Sequence, residues 1–256
     1  MAEVFVFANQ KGGVGKTTST FNLGAALQDI DQRVLLVDLD PQASLTFYAG
    51  FDPESIDVTL HQCLTRDVPP KDIILSTECG MDLLPANMDL SLAELQMINL
   101  PARERRITRI VNAVRDAYDF VLLDSQPSLG ILTLNALAAA DQVIIPVSCE
   151  FLSLRGTRAL LKLIAKVRGQ LNSHLQIAGL LPTMFDSRTR HGREILQILR
   201  DQFSDLYLFP YTVNRSIRFA ESSRAQLPVF EMSIQVPGAL AYRELARDLV
   251  KKKERK

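Results

Sequence analysis

Residues 4–23 read VFVFANQKGGVGKTTSTFNL: an apolar run, a glycine-rich turn, then the start of a helical pattern. That order makes an anion site, because glycine lets the backbone close on phosphates and a helix N-terminus offers N–H groups with no partner inside the helix. Gly12, Gly13 and Gly15, with Val14 between them, would then wrap the phosphates of a nucleotide. Lys16 supplies a point charge to the β- and γ-phosphates, the Thr17 hydroxyl ligates Mg²⁺, and Thr18 is placed for the α-phosphate. Lys11, ahead of the glycines, is surplus to this scheme.

Four further runs are almost continuously apolar: VLLVDLD (34–40), FVLLD (120–124), VIIPV (143–147) and IAGLLPT (177–183). Such runs suit strands buried on both faces of a parallel sheet. Helical spacing lies between them, as in Leu23, Leu27 and Ile30, and again in Leu160, Leu163, Ile164 and Val167. The alternation predicts an α/β fold, a doubly wound and mostly parallel β-sheet with helices on both faces, its ligands at the C-terminal strand ends. One domain is expected over residues 1–256, with residues 249–256 as a basic, solvated tail. GFDPESIDVTLHQCLTRDVPPKD (50–72) reads as a loop-rich excursion holding one short helix. NMDLSLAELQMINLPARERR (87–106) reads as a helix that covers the sheet or meets a regulatory partner.

Two strands end in acids. RVLLVDLDPQAS (33–44) brings Asp38 and Asp40, two residues apart and so on one side of the strand, to where magnesium and the γ-phosphate would lie. YDFVLLDSQPSLG (118–130) runs into Asp124, the arrangement of a Walker-B acid that holds the magnesium shell.

K-G-G-V-G-K-T-T, D-L-D-P-Q and D-x-x-P-S-L-G in this order resemble the deviant Walker-A ATPases of the ParA partition type, within the ParA/MinD superfamily of P-loop NTPases. The resemblance runs from Ala8 to about Asp248, through NALAAADQVIIPVSCEF, TMFDSRT and IRFAESS. It implies ATP and Mg²⁺ as cofactors and a homodimer in the ATP-bound state. Lys11 would reach across the dimer to the phosphates held by the other subunit, an effect analogous to an arginine finger. The resemblance also assigns the water-orienting role to Asp40, the magnesium surroundings to Asp38 and Asp124, and the adenine pocket to Met184 and Asn214. Two departures stand out: the family commonly reads D-C-P-P-S-L-G where this chain has Gln126, and P-R where it has Asn214-Arg215.

The formal net charge is zero but divides unevenly. Residues 1–150 carry 10 Lys and Arg against 20 Asp and Glu, while residues 151–256 carry 19 against 9. An anionic partner for the second half follows, and Arg188, Arg190, Arg193, Arg215, Arg218 and Arg224 are the candidate DNA contacts. Contacts of this kind hold phosphates without reading sequence, and no helix-turn-helix signal accompanies them. The resemblance adds nucleoid DNA as the matrix and a ParB-like or other adaptor that stimulates hydrolysis.

Cys63, Cys79 and Cys149 are far apart and lack metal-site spacing, and no run reaches the length of a membrane span. A cytoplasmic, nucleoid-associated ATPase that segregates or positions a chromosome, plasmid or protein cargo is the expectation. The alternatives are a membrane-cycling division-site regulator, for which the ending ELARDLVKKKERK is too polar, and a metabolic enzyme of the same superfamily such as an amidoligase.

Overall fold

All five apolar runs are strands in the computed structural model, which describes residues 1–150, 153–232 and 236–255. In chain order the main elements are β1 (Glu3–Phe7), α1 (Lys16–Gln28), β2 (Val34–Leu39), α2 (Ser44–Tyr48), α3 (Leu60–Arg66), β3 (Leu75–Ser76), β4 (Asp82–Leu84), α4 (Leu90–Met97), α5 (Arg106–Asn112), β5 (Phe120–Ser125), α6 (Ile131–Ala139), β6 (Gln142–Ser148), α7 (Ser153–Gln170), β7 (Gln176–Thr183), α8 (Arg190–Gln202), α9 (Arg218–Ala225) and α10 (Pro237–Glu254). The sheet has seven strands in the order β3-β4-β2-β5-β1-β6-β7, and only the edge pair β3–β4 is antiparallel. Two apolar layers, one on each face, bury it as a doubly wound fold requires.

Register decides which chemistry meets. Asp38 on β2 and Phe7 on β1 both pair with Asp124 on β5, so the glycine turn and both strand-end acids emerge side by side. Helix α1 lies so close to the sheet at Gly24 that a Cβ there would stand 2.8 Å from Met81 Sδ and 2.9 Å from Leu36 Cδ2. Ten of the thirteen residues of α1 are buried, which explains why it lacks a polar face.

Of three local expectations one holds, one holds in part and one changes. The 50–72 excursion does carry one helix, α3, closed at its start by Thr59 and Gln62 capping each other's backbone. Helix α4 covers its neighbours with Leu90, Ala93 and Met97 but turns Leu92 and Leu95 outward. The basic run at the C-terminus is not a free tail: α10 continues to Glu254, Lys253 Nζ donates to Asp119 O at 2.8 Å, and Lys252 Nζ lies 4.8 Å from the Tyr207 ring centroid. Aromatic and carbonyl partners on the sheet hold these ammonium groups down.

Candidate nucleotide-binding site

Positive φ at Gly13 (70°) and Gly15 (85°) lets the chain double back between β1 and α1, a geometry side-chain-bearing residues adopt only with strain. Gly15 stands immediately ahead of α1, so the free N–H groups of the first turn face the loop. The turn is anchored from the side: Thr183, at the end of β7, donates to Val14 O at 2.8 Å.

Lys16 is buried, with Nζ 3.4 Å from Lys11 O. Burial lowers its pKa, opposed by the charges of Asp124 and Asp40. Thr17 Oγ1 donates to Asp124 Oδ2 at 2.6 Å, and Thr20 Oγ1 lies 3.5 Å from Oδ1 of the same carboxyl. Asp124 is fully buried; desolvation and the neighbouring Asp38 push its pKa well up, against Thr17 and Lys16. Thr18 is half-buried beside this pair.

Asp38, the register partner of Asp124 on β2, turns its carboxylate toward Thr46. Its Oδ2 accepts from both the backbone N–H and the hydroxyl of Thr46 at 2.8 Å, and its Oδ1 accepts from Asp40 N at 3.1 Å. Full burial raises its pKa to about 6 despite those donors. Asp38 therefore shapes the loop that presents Asp40, which is half-buried and accepts from Gln42 N at 3.0 Å.

Lys11 and Lys16 occupy different environments. Lys11 Nζ is half-exposed at the rim, 2.6 Å from Glu150 Oε2, and its N–H donates to Asn9 Oδ1 at 3.1 Å. Asn9 is in turn fastened by its amide to Pro146 O at 2.7 Å. Hydrogen bonding to Lys11 holds the Glu150 carboxyl below its usual range. Asn9, Thr46 and Glu150 escaped the sequence reading; only the position of Glu150 just past the VIIPV run offered a signal.

Met184, in the left-handed region at φ 51°, and Asn214 are close, since Phe185 bridges Asn214 and Arg215 N donates to Phe185 O at 2.9 Å. Met184 follows directly on Thr183, the strand end that anchors the glycine turn, and Asn214 is brought beside it through the bridge to Phe185. The arginines divide into two groups. Arg188, Arg190, Arg193 and Arg215 surround the end of β7, whereas Arg218 and Arg224 lie on α9. Arg188 is paired with Asp186, Arg190 with Glu194 and Arg218 with Glu221, leaving Arg193, Arg215 and Arg224 with no ion pair among the described residues.

The donor set fits a nucleotide with Mg²⁺. A buried amine and free helix N–H groups face the phosphate position, and a hydroxyl joined to a carboxylate suits a hard cation that keeps phosphate oxygens and water as its other ligands. No cluster of three or more His, Cys, Asp and Glu able to hold a metal by itself occurs among the described residues.

Comparison with known proteins agrees with this geometry. An AAA-domain family profile matches residues 2–177. An uncharacterized protein of Mycobacterium tuberculosis is 47% identical over 97% of this chain and 79% of its own length. The sporulation initiation inhibitor protein Soj of Bacillus subtilis is 38% identical over 97% of this chain and 98% of its own. Among solved structures, cobyrinic acid a,c-diamide synthase from Mycobacterium smegmatis with bound ADP and magnesium superposes with TM-score 0.89 at 40% identity, covering 99% of this chain and 96% of that one.

Proposed function

The chain belongs to the AAA-domain family of P-loop ATPases, in the ParA/MinD superfamily that includes Soj, and from that premise we propose that it is an ATP-driven partitioning or positioning ATPase. The observation that carries the proposal is the pair of lysines on one turn: Lys16 buried against Asp124, Lys11 half-exposed at the rim. In this reading one serves the nucleotide of its own chain, and the other serves a second subunit. Gly12 to Thr18 bind the phosphates, Thr17 and Asp124 hold Mg²⁺ with Asp38 beside Asp124, and Met184 and Asn214 border the base. Mg²⁺ neutralises phosphate charge, and Asp40 orients the attacking water.

Closure of a homodimer over ATP would double the number of arginines facing one DNA duplex. The logarithm of affinity falls by about 0.9 per neutralised phosphate per decade of salt, so pairing two subunits makes a sharp switch. Hydrolysis stimulated by an adaptor then releases the DNA, and repeated cycles segregate or position a chromosome, plasmid or protein cargo over the nucleoid. Among the described residues no helix is long and apolar enough to cross a membrane.

The deciding experiment is a gel shift of random-sequence duplex with ATP, ADP or no nucleotide across a salt series. ATP-dependent binding supports the proposal. Absence of binding in all three states removes DNA as the matrix, and equal binding in all three rejects the nucleotide switch.

The likeness to cobyrinic acid a,c-diamide synthase favours a second reading, an amidoligase that activates a carboxylate with ATP. Against it, the cleft beside the Asp40 loop carries Asp52, Glu54 and Asp89 and no basic side chain, which repels an acid substrate. ATP turnover that requires a carboxylic acid and ammonia or glutamine, and ignores DNA, would establish the amidoligase instead.

A further inference from the structure

Residues 34–65 and 72–102 contain ten Asp and Glu and not one Lys or Arg. They flank the β3–β4–β2 edge of the sheet, α3 and α4 packing in one apolar layer and α2 in the other. Where they meet, next to the Asp40 loop, is a cleft of about 590 Å³ with Pro41, Phe47 and Met88 on its walls and Asp52, Glu54 and Asp89 around it. Beyond the cleft the exposed apolar surface continues into α4: Met88, in the turn just before the helix, is 61% exposed, and Leu92 and Leu95 are 47% and 66%. Leu92 and Leu95, three apart, share one side of α4, with Met88 at its start on the cleft wall, and exposed apolar side chains grouped in this way mark an interaction surface.

Helix α4 is also tied to the catalytic loops. Glu94 Oε1 accepts a 3.0 Å hydrogen bond from Gln126 Nε2, two residues beyond Asp124. The approach is close: a Cβ on Gly130, which opens α6, would stand 2.7 Å from that oxygen. At the other end, Gln42, whose N–H donates to Asp40, brings its amide nitrogen to 3.9 Å from Met88 Sδ.

We propose that α4 is the element through which a regulatory protein reaches the site: a segment with bulky apolar residues flanked by Lys or Arg packs on Met88, Leu92 and Leu95 within the acidic surround, and the Glu94–Gln126 hydrogen bond carries its occupation to the loop after Asp124. The inference rests on the ATPase reading above and names the face and chemistry of its stimulating partner. Charge selects a basic occupant at the cleft end, whose lining carries Asp52, Glu54 and Asp89 and no Lys or Arg, while the far end of α4 is closed by Arg103, which donates to Ile98 O at 2.8 Å. A second copy of the chain matches less well. Among the described residues its exposed apolar side chains near arginine stand singly, as Ile217 between Arg215 and Arg218 and Leu240 three residues before Arg243, against the group of three here.

The test uses a fluorescein-labelled 18-residue peptide of Leu and Lys with leucines at helical spacing, and its Leu/Glu counterpart, read by anisotropy and by ATP turnover. The Leu/Lys peptide binds and raises turnover, and the Leu/Glu peptide does neither. Leu92→Ser with Leu95→Ser weakens peptide binding about tenfold or more and leaves basal turnover unchanged. Glu94→Ala binds the peptide as the parent does but is not stimulated, whereas Glu94→Gln, which keeps an acceptor oxygen for Gln126, is stimulated. Equal peptide binding by the double-serine variant overturns the docking face. Stimulation that survives in Glu94→Ala overturns the transmission. Self-association in the absence of peptide, lost in the double-serine variant, gives the face to a second copy and overturns the partner. Calorimetric failure to bind ATP would sink the ATPase reading on its own, while anisotropy, which needs no nucleotide, still decides the face.

Discussion

Lys11 Nζ lies 2.6 Å from Glu150 Oε2, so the lysine that the family resemblance sends across a dimer is held here within its own chain. Both side chains are partly exposed, and an ion pair in that setting contributes roughly 0.2–1 kcal/mol. It is a weak restraint that a second subunit's phosphates can displace.

Replacing Glu150 by Gln removes the competitor and strengthens ATP-dependent dimerisation by a factor of about 1.4–5 for each ion pair, the equivalent of that energy. Lys11→Ala abolishes the dimer while leaving monomeric nucleotide binding intact. Light scattering against ATP concentration reads both variants, and weaker association of Glu150→Gln would mean that Glu150 helps the dimer rather than restraining Lys11.

Asp40→Ala is expected to bind ATP, dimerise and hydrolyse poorly, because the proposed mechanism gives that side chain the task of orienting water. Parent-like turnover rejects the role. The basal rate of the parent is itself expected to be low, since the proposed cycle leaves the timing of release to a partner.

Thr46 joins the Asp38 carboxylate to Ala86 N, donating to the first at 2.8 Å and accepting from the second at 3.0 Å. Thr46→Val keeps the shape and leaves two buried groups short of a partner, at a cost of about 2–3 kcal/mol. For a chain of this size that lowers Tm by roughly 4–12 °C. Thermal unfolding followed by circular dichroism measures it, and an unchanged Tm would show that the hydroxyl is dispensable to the Asp40 loop.

Asp119 carries a pH signature. The Arg33 guanidinium, through two hydrogen bonds, holds its carboxyl down at about 2. A depressed carboxylate stabilises the fold above its unfolded pKa, near 4, and loses that contribution as pH falls from about 4 to about 2. Asp119→Asn therefore costs roughly 1 kcal/mol at pH 7, after allowance for solvent screening, and the gap to the parent closes toward pH 2. Urea unfolding at pH 7, 4 and 2.5 tests the sign; a gap that widens in acid contradicts it.

Arg215 has no ion pair among the described residues, whereas Arg190 is 2.7 Å from Glu194. A paired arginine must give up its carboxylate to meet a phosphate. Arg215→Ala is accordingly expected to lower the salt slope of DNA binding by about 1, and Arg190→Ala by less. Equal slopes in filter binding would place the DNA contact elsewhere.

Short-range chemistry was legible in the chain. Five strands could be read because strands covered on both faces need apolar residues at every position, and the glycine turn could be read because φ requirements and helix N-termini are local properties. Strand β4, three residues long, and β3, two, carry too little pattern to stand out, and they exist because β2 offers an edge to pair with. Partners brought together by crossovers were not legible. Glu150 meets Lys11 from 139 residues away because β6 lies beside β1, and Glu94 meets Gln126 because α4 packs near the start of α6. The chain also places Leu92 and Leu95 at helical spacing like their neighbours, yet which side of α4 is covered depends on where α3 and the sheet already stand. Periodicity and turn chemistry thus located the elements and the phosphate site from the sequence, while the choice of inward and outward faces, and of which carboxylate holds which cation, was made only when the parallel sheet set its strand order.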